Sequence, residues 1–290
     1  MRGAARMSDH PKKFALTIMS TILITLLAFL FLFPLVWMIA SSLKPEAEIY
    51  KNMDSFRAFL PSFNIDQWGD AYKNLLSRFT ILTYILNSLF YGLSVTAGSI
   101  LVNSLAGYGF SKFKFKGQKF IFGLLIAMLV IPGETIIIQK FQIVKALGIL
   151  NTPWAVIFPS LAAPFYIYMF KNFFDAISND VVESAEMEGA GSFMIYWKIM
   201  LPMAKPAIAT VGTLSFIGSW NDYIWPLMVL TDSSKFPLQV AITNINNTVP
   251  VYMNQVMAIL TISTLPLIIV YLFFQKYLVQ GLGVSGTGEK

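Results

Sequence analysis

Apolar residues run almost unbroken over six long stretches of the chain, and polar residues gather in the connections between them. The stretches cover about residues 14–40, 81–107, 120–138, 154–174, 207–230 and 256–277. A helix of each length can cross a hydrocarbon core of about 30 Å. Apolar and polar positions do not alternate with a period of two, which predicts helices and not the strands of an outer-membrane barrel. The expected fold class is an all-α membrane protein, with residues 1–290 forming one domain of six transmembrane helices.

Composition agrees with this pattern. Hydrophobic residues make up 56% of 290 positions and charged residues 12%, against about a quarter charged in soluble domains. The 14 prolines and 18 glycines fit spanning helices, which tolerate both. There is no cysteine, which excludes disulfides, thiolate metal sites and a cysteine nucleophile. The single histidine, His10, reads as a solvated tail residue. Arg2 to Lys13 resembles the basic start of a signal peptide. The apolar run behind it is too long for one and has no small-residue cleavage site, so it is expected to be a retained first span. Met1 to Arg6 is then an alternative start or an added segment ahead of Met7.

Basic residues set the orientation. With the N-terminus inside, 13 of the 21 Lys and Arg fall in inside segments. They are Arg2, Arg6, Lys12 and Lys13 in the tail, Lys112, Lys114, Lys116 and Lys119 between spans two and three, Lys171, Lys198 and Lys205 between spans four and five, and Lys276 and Lys290 at the end. Both termini are expected in the cytoplasm. The excess charge suits an anionic leaflet, so no nucleic acid is implied. Pro132-Gly133, Pro159, Pro164 and Pro266 invite kinks. Ser94 with Gly98, and Ala209, Gly212 and Ser219, allow close helix approach.

The most informative stretch is residues 178–206, the longest inside connection. Asp180, Glu183, Glu186 and Glu188 make it acidic, and Asp180 with Glu183 predicts a capping-box start to a helix. Val182, Ala185 and Gly189 fall on one narrow face, which would let another protein approach the backbone. Gly189 and Gly191 are expected to break this helix. A second one would present Phe193, Trp197, Met200 and Leu201 on one side and close at Pro202 and Pro206. Such a cytoplasmic coupling element reads as a docking surface.

Glu183-Ser184-Ala185, then Gly189, Ile199 and Leu201-Pro202 resembles the EAA signature of ABC importer permeases, with Ser184 where that family usually has alanine. Asn87-Ser88, Tyr108 to Gly117, Gly148 to Thr152 and Trp220 to Pro226 resemble looser patterns of the carbohydrate branch, typified by the second subunit of the maltose permease. The resemblance implies the type I importer permease fold and transport of a sugar or oligosaccharide across a prokaryotic cell membrane, with this chain lining half of the pathway. It assigns ATPase docking to Glu183, Ser184, Ala185, Gly189, Ile199, Leu201 and Pro202, and the acidic Asp180 and Glu186 beside them are expected to pair with bases on that partner. It implies a second related permease, two ATPase subunits and an extracellular binding protein. The sequence holds no phosphate-cradling G-x-x-x-x-G-K-[ST] loop, so ATP and Mg are expected on the partner ATPase, with no cofactor and no enzymatic activity on this chain.

Three polar residues are candidates for the pathway or a gate. Asn221 and Asp222 lie in the fifth stretch, where an ionisable group faces the bundle interior or water; an interhelical hydrogen bond is the competing role. Glu134 follows Pro132-Gly133, and an interfacial ion pair with Lys140 is the favoured reading for it. Residues 231–255 read as a solvated outside loop, which the resemblance places near the binding protein. Alternatives are a permease for a non-sugar solute and, in another class, an ATP-independent secondary transporter. The latter predicts inverted repeats or several buried charges, and neither is visible.

Overall fold

The computed structural model describes the backbone of residues 9–284 and the side chains of residues 16–276. The side chains of Arg2, Arg6, His10, Lys12, Lys13 and Lys290 lie outside the described residues. All regular elements among the described residues are helical. In chain order they are α1 (Asp9–Ser42), α2 (Glu46–Lys51), α3 (Asp70–Arg78), α4 (Ile81–Lys112), α5 (Gln118–Ala127), α6 (Ile137–Ala146), α7 (Pro153–Ile157) and α8 (Pro164–Asp175). There follow α9 (Asn179–Met187), α10 (Ser192–Ile195), α11 (Leu201–Met203), α12 (Lys205–Asn221), α13 (Ile224–Val229), α14 (Leu238–Asn246) and α15 (Met253–Val284). Contacts divide the chain into two compact units. One is the chain up to Phe79 with Thr248–Ile262; the other is Thr80–Asn247 with the chain from Ser263.

Three helices are long and apolar enough to cross a membrane unbroken, and six spans result if each bent pair counts as one. The third expected span is a pair, Gln118–Val130 and Gly133–Ala146, bent by 104°. The fourth is Pro153–Ser160 and Pro164–Asp175, bent by 45°. Proline explains both breaks, because its ring pushes the preceding residue out of the helical region. Ile131 before Pro132 has ψ 117° and Ala163 before Pro164 has ψ 124°. Pro266 lies inside α15 without ending it. The stretch 207–230 is not one helix: α12 stops at Asn221 and α13 starts at Ile224.

In the first unit, polar groups latch distant segments. Lys44 is 2% exposed, and its Nζ donates to Arg57 O at 2.7 Å and Ala58 O at 2.9 Å. The Glu46 carboxylate accepts from Met253 N at 2.9 Å and Asn254 N at 3.0 Å. It thereby caps the positive end of α15. The Arg78 guanidinium donates to Pro250 O at 2.7 Å and Thr248 O at 3.3 Å.

In the second unit α4 is the central post, with α8 and α12 packed along it. A Cβ on Gly107 would sit 2.7 Å from Phe170 Cβ and 2.9 Å from Lys171 N, so α4 and α8 meet backbone to backbone there. One apolar cluster joins Tyr108, Phe170, Phe174, Tyr196, Met200 and Val211. Another joins Tyr91, Val144, Ala155, Val156, Trp225 and Val229. Part of the expected solvated loop 231–255 is in fact packed: α14 buries Leu238, Val240, Ala241, Ile242 and Ile245. Its apolar residues recur at helical spacing, which the asparagines around it had masked.

Candidate docking surface

The stretch expected to dock a partner, residues 178–206, folds as α9 to α11 and the start of α12. The start of α9 is capped by Ser178 and not by an Asp180–Glu183 box: Ser178 Oγ accepts from Asp180 N at 3.2 Å. The helix stops at Gly189, whose φ of +84° is the left-handed conformation open to glycine. Ala190 N bonds Ala185 O at 3.0 Å and Gly189 N bonds Glu186 O at 2.9 Å, which is a Schellman stop. Gly191 has φ −72° and needs no such freedom.

The faces differ from the sequence expectation. Val182 and Ala185 are buried against the protein's own core and cannot meet another chain through that face. Met200 is fully buried, and Ile199 and Leu201 pack against the same cluster. The residues turned outward are Met187, 91% exposed, with Phe193, Met194 and Trp197. Asp180, Glu183, Ser184, Glu186 and Glu188 are exposed around them. The cause is the attachment of the element, which uses its small and aliphatic residues inward. The second helix closes between the two expected prolines: it runs through a π-helical turn, Tyr196–Met200, and α11 to Met203, one residue past Pro202, and there bends by 80° into α12. Pro206 sits in the first turn of α12.

Hydrogen bonds fasten this element to α4. Tyr108 Oη donates to Ser192 O at 3.1 Å, and the Ser104 and Tyr196 hydroxyls are 2.8 Å apart and buried. Lys112 Nζ donates to Ile177 O at 2.8 Å and Asn179 Oδ1 at 3.0 Å. Between α9 and the lysine-rich turn after α4 lies a cleft of about 550 Å³ lined by Lys112, Lys114, Lys119, Glu183 and Glu186. Both segments expected on the inside of the membrane therefore lie at one end of this unit.

The pathway candidates lie apart from this surface. Asn221 ends α12; its Nδ2 donates to Ile217 O at 3.0 Å and its Oδ1 accepts from Gln239 Nε2 at 3.3 Å. Asp222 Oδ1 accepts from Trp225 N at 3.3 Å, capping the first turn of α13. Glu134 is exposed and makes no ion pair with Lys140. The Lys140 ammonium lies instead 4.5 Å from the centroid of the Trp225 ring, where the face of the indole attracts a cation.

Several residues acquire roles that spacing did not reveal. Asn87 Nδ2 donates to Ser234 O and Phe236 O, Tyr91 Oη donates to Lys235 O, and Ser88 Oγ accepts from Leu238 N at 2.7 Å. Asn151, at φ 56°, accepts from Thr231 N and Asp232 N. Together they clasp the irregular chain between α13 and α14. Within it, hydrogen bonds from Ser234 hold the exposed Asp232 carboxyl below the usual carboxylate range. Asn87, Ser88, Lys112 and Asn151 belong to the looser patterns noted in the sequence; Asn103, Ser104 and Met187 carried no signal there.

Comparison with known proteins gives a consistent result. The family model described as "Binding-protein-dependent transport system inner membrane component" matches residues 68–284. The arabinooligosaccharides transport system permease protein AraQ of Bacillus subtilis is 31% identical, over 97% of this chain and 99% of that protein. The sn-glycerol-3-phosphate transport system permease protein UgpE of Yersinia pestis is 29% identical, over 74% of this chain and 76% of its own length. A chain in the crystal structure of a bacterial ABC transporter involved in import of the acidic polysaccharide alginate superposes with a TM-score of 0.81 at 27% identity, covering 96% of this chain and 99% of that one. The all-α permease fold expected from the sequence is the fold of that transporter chain.

Proposed function

Because the chain belongs to the family of binding-protein-dependent transport system inner membrane components, we propose that it is the membrane-spanning subunit of an ATP-driven importer for sugars or oligosaccharides. The names of AraQ and of the alginate transporter support the cargo class. In this reading the chain forms half of a pathway completed by a second, related permease. Two ATPase subunits hold ATP and Mg in the cytoplasm, and an extracellular binding protein delivers solute. The chain sits in the cytoplasmic membrane of a prokaryote with both termini inside. A phosphorylated polyol is a second cargo class, favoured by the similarity to UgpE.

One observation carries the docking role: an exposed apolar row, Met187, Phe193, Met194 and Trp197, stands among exposed acids on an element fastened to α4. Large apolar side chains on a polar, solvent-facing element mark a surface that another protein covers. Glu183, Ser184, Glu186 and Pro202 are available to that partner. Ala185, Ile199 and Leu201 act from beneath by fixing the shape of the element, and the exposed Gly189 ends its first helix. Closure of the ATPases on ATP would carry it and tilt the spans attached to it, giving alternating access. A Met187→Cys variant is expected to crosslink to an ATPase subunit that co-purifies with the chain. Absence of a crosslink in a complex that still transports would remove the docking assignment.

A further inference from the structure

The break in span four leaves backbone groups that no helix satisfies. The 3₁₀ turn Phe158–Ser160 gives way at Leu161, and α8 starts at Pro164, which has no N–H. At membrane depth an unpaired C=O or N–H costs several kcal/mol, so such groups find partners or the break does not persist. One side chain supplies both partners. Asn103 on α4 is fully buried; its Nδ2 donates to Leu161 O at 2.9 Å and its Oδ1 accepts from Ala163 N at 2.9 Å. Because a backbone N–H can only donate, the Ala163 bond fixes which end of the amide is oxygen. Ser99 O at 2.6 Å and Ser99 Oγ at 2.8 Å hold Nδ2 from the other side. Glycines flank the amide: a Cβ on Gly98 would meet Leu161 Cδ2 at 2.5 Å, and one on Gly107 would meet Phe170 and the Lys171 backbone. Thus α4 touches the chain at the break and again along the inner arm.

We propose that Asn103 is a positioning residue that locks span four at its 45° bend, so that the inner arm Pro164–Asp175 and α9 behind it move with α4 as one lever. An unassisted proline kink flexes because its freed groups have no fixed partner. Here the amide replaces two missing backbone bonds with two of its own and turns the kink into a rigid elbow. Motion applied at α9 then reaches α4 without being absorbed in the bend. The consequence for transport rests on the docking reading above; the lock itself does not.

The chain has no cysteine, so spin labels at Trp154→Cys and Ala176→Cys report uniquely on the two sides of the bend. In the full-length chain in lipid, a narrow distance distribution is expected, and Asn103→Leu is expected to broaden or shift it. Asn103→Asp keeps an acceptor for Ala163 N, loses the donors and decides the matter if the leucine variant does not fold. An unchanged distribution in the variant that folds overturns the lock. In the assembled importer, Asn103→Asp is expected to lower solute moved per ATP about fivefold or more, the scale of a typical coupling energy, while hydrolysis holds within about twofold. Equal losses of transport and hydrolysis would overturn the lever role. Should no ATPase assemble with the wild-type chain, the docking reading fails, and the label distances still judge the lock.

Discussion

Helices α1 and α4 are nearly equal in length, 34 and 32 residues, and both are long and apolar enough to span a membrane. Their surroundings in the fold are opposite. Every residue of α1 from Leu16 to Pro34 is exposed, whereas α4 buries Ser88, Tyr91, Gly92, Val95, Ser99, Asn103, Ser104, Gly107 and Tyr108 along one side. Apart from Ile81 and Val95 the buried side is small or polar, and the exposed side keeps Leu82, Leu86, Leu93 and Leu101. In lipid, greasy residues have no reason to leave the surface, so small side chains and satisfied polar groups mark the packed face. The usual soluble rule that the largest apolar residues lie inside is inverted for these two helices.

Substitutions can break this contrast. The largest effect is expected at Gly107→Val, where the new side chain meets α8 backbone: a loss of about 3 kcal/mol or more of stability. It should appear as failure to recover folded protein from mild detergent, and normal recovery would mean that α4 and α8 are not in contact there. A smaller loss, about 1–2 kcal/mol, is expected for Ser88→Ala, which leaves the buried Leu238 N–H without its acceptor. A lowered thermal midpoint with faster proteolysis around α14 would show it. Least of all, Leu23→Ala on α1 removes a side chain that touches little of its own chain, and the isolated chain should change by less than about 0.5 kcal/mol. A cost at Leu23 as large as at Ser88 would erase the distinction between the two helices.

The spans were legible because hydropathy over some twenty residues reflects the one constraint that lipid imposes, that every backbone group be paired within the segment. The breaks were half legible. Pro132 and Pro164 announced them, but nothing in the pattern pointed to Asn103 as the residue that repairs one, because its partners Leu161 and Ala163 are distant in sequence. The helical element at 178–206 was located by its acidity and spacing, and Phe193 and Trp197 do turn outward, but Val182, Ala185 and Met200 were assigned to the wrong face. Helical periodicity says that Val182 and Ala185 share a face; only the packing of Tyr108, Phe174 and Tyr196 beneath them says that the face turns inward. The Glu134–Lys140 pair failed for a related reason, since Trp225 comes from far along the chain to receive the lysine.

The Glu46 clamp on Met253 and Asn254 joins residues that are 207 and 208 positions apart. Such a long closure is entropically slow and must wait for its later partner. During synthesis the first two hundred residues emerge and insert before this carboxylate can reach either amide. The unit that contains the beginning of the protein therefore stays incomplete until residues 248–262 have been made, and a chain that stops before the final helix leaves the Glu46 carboxylate without these two amides.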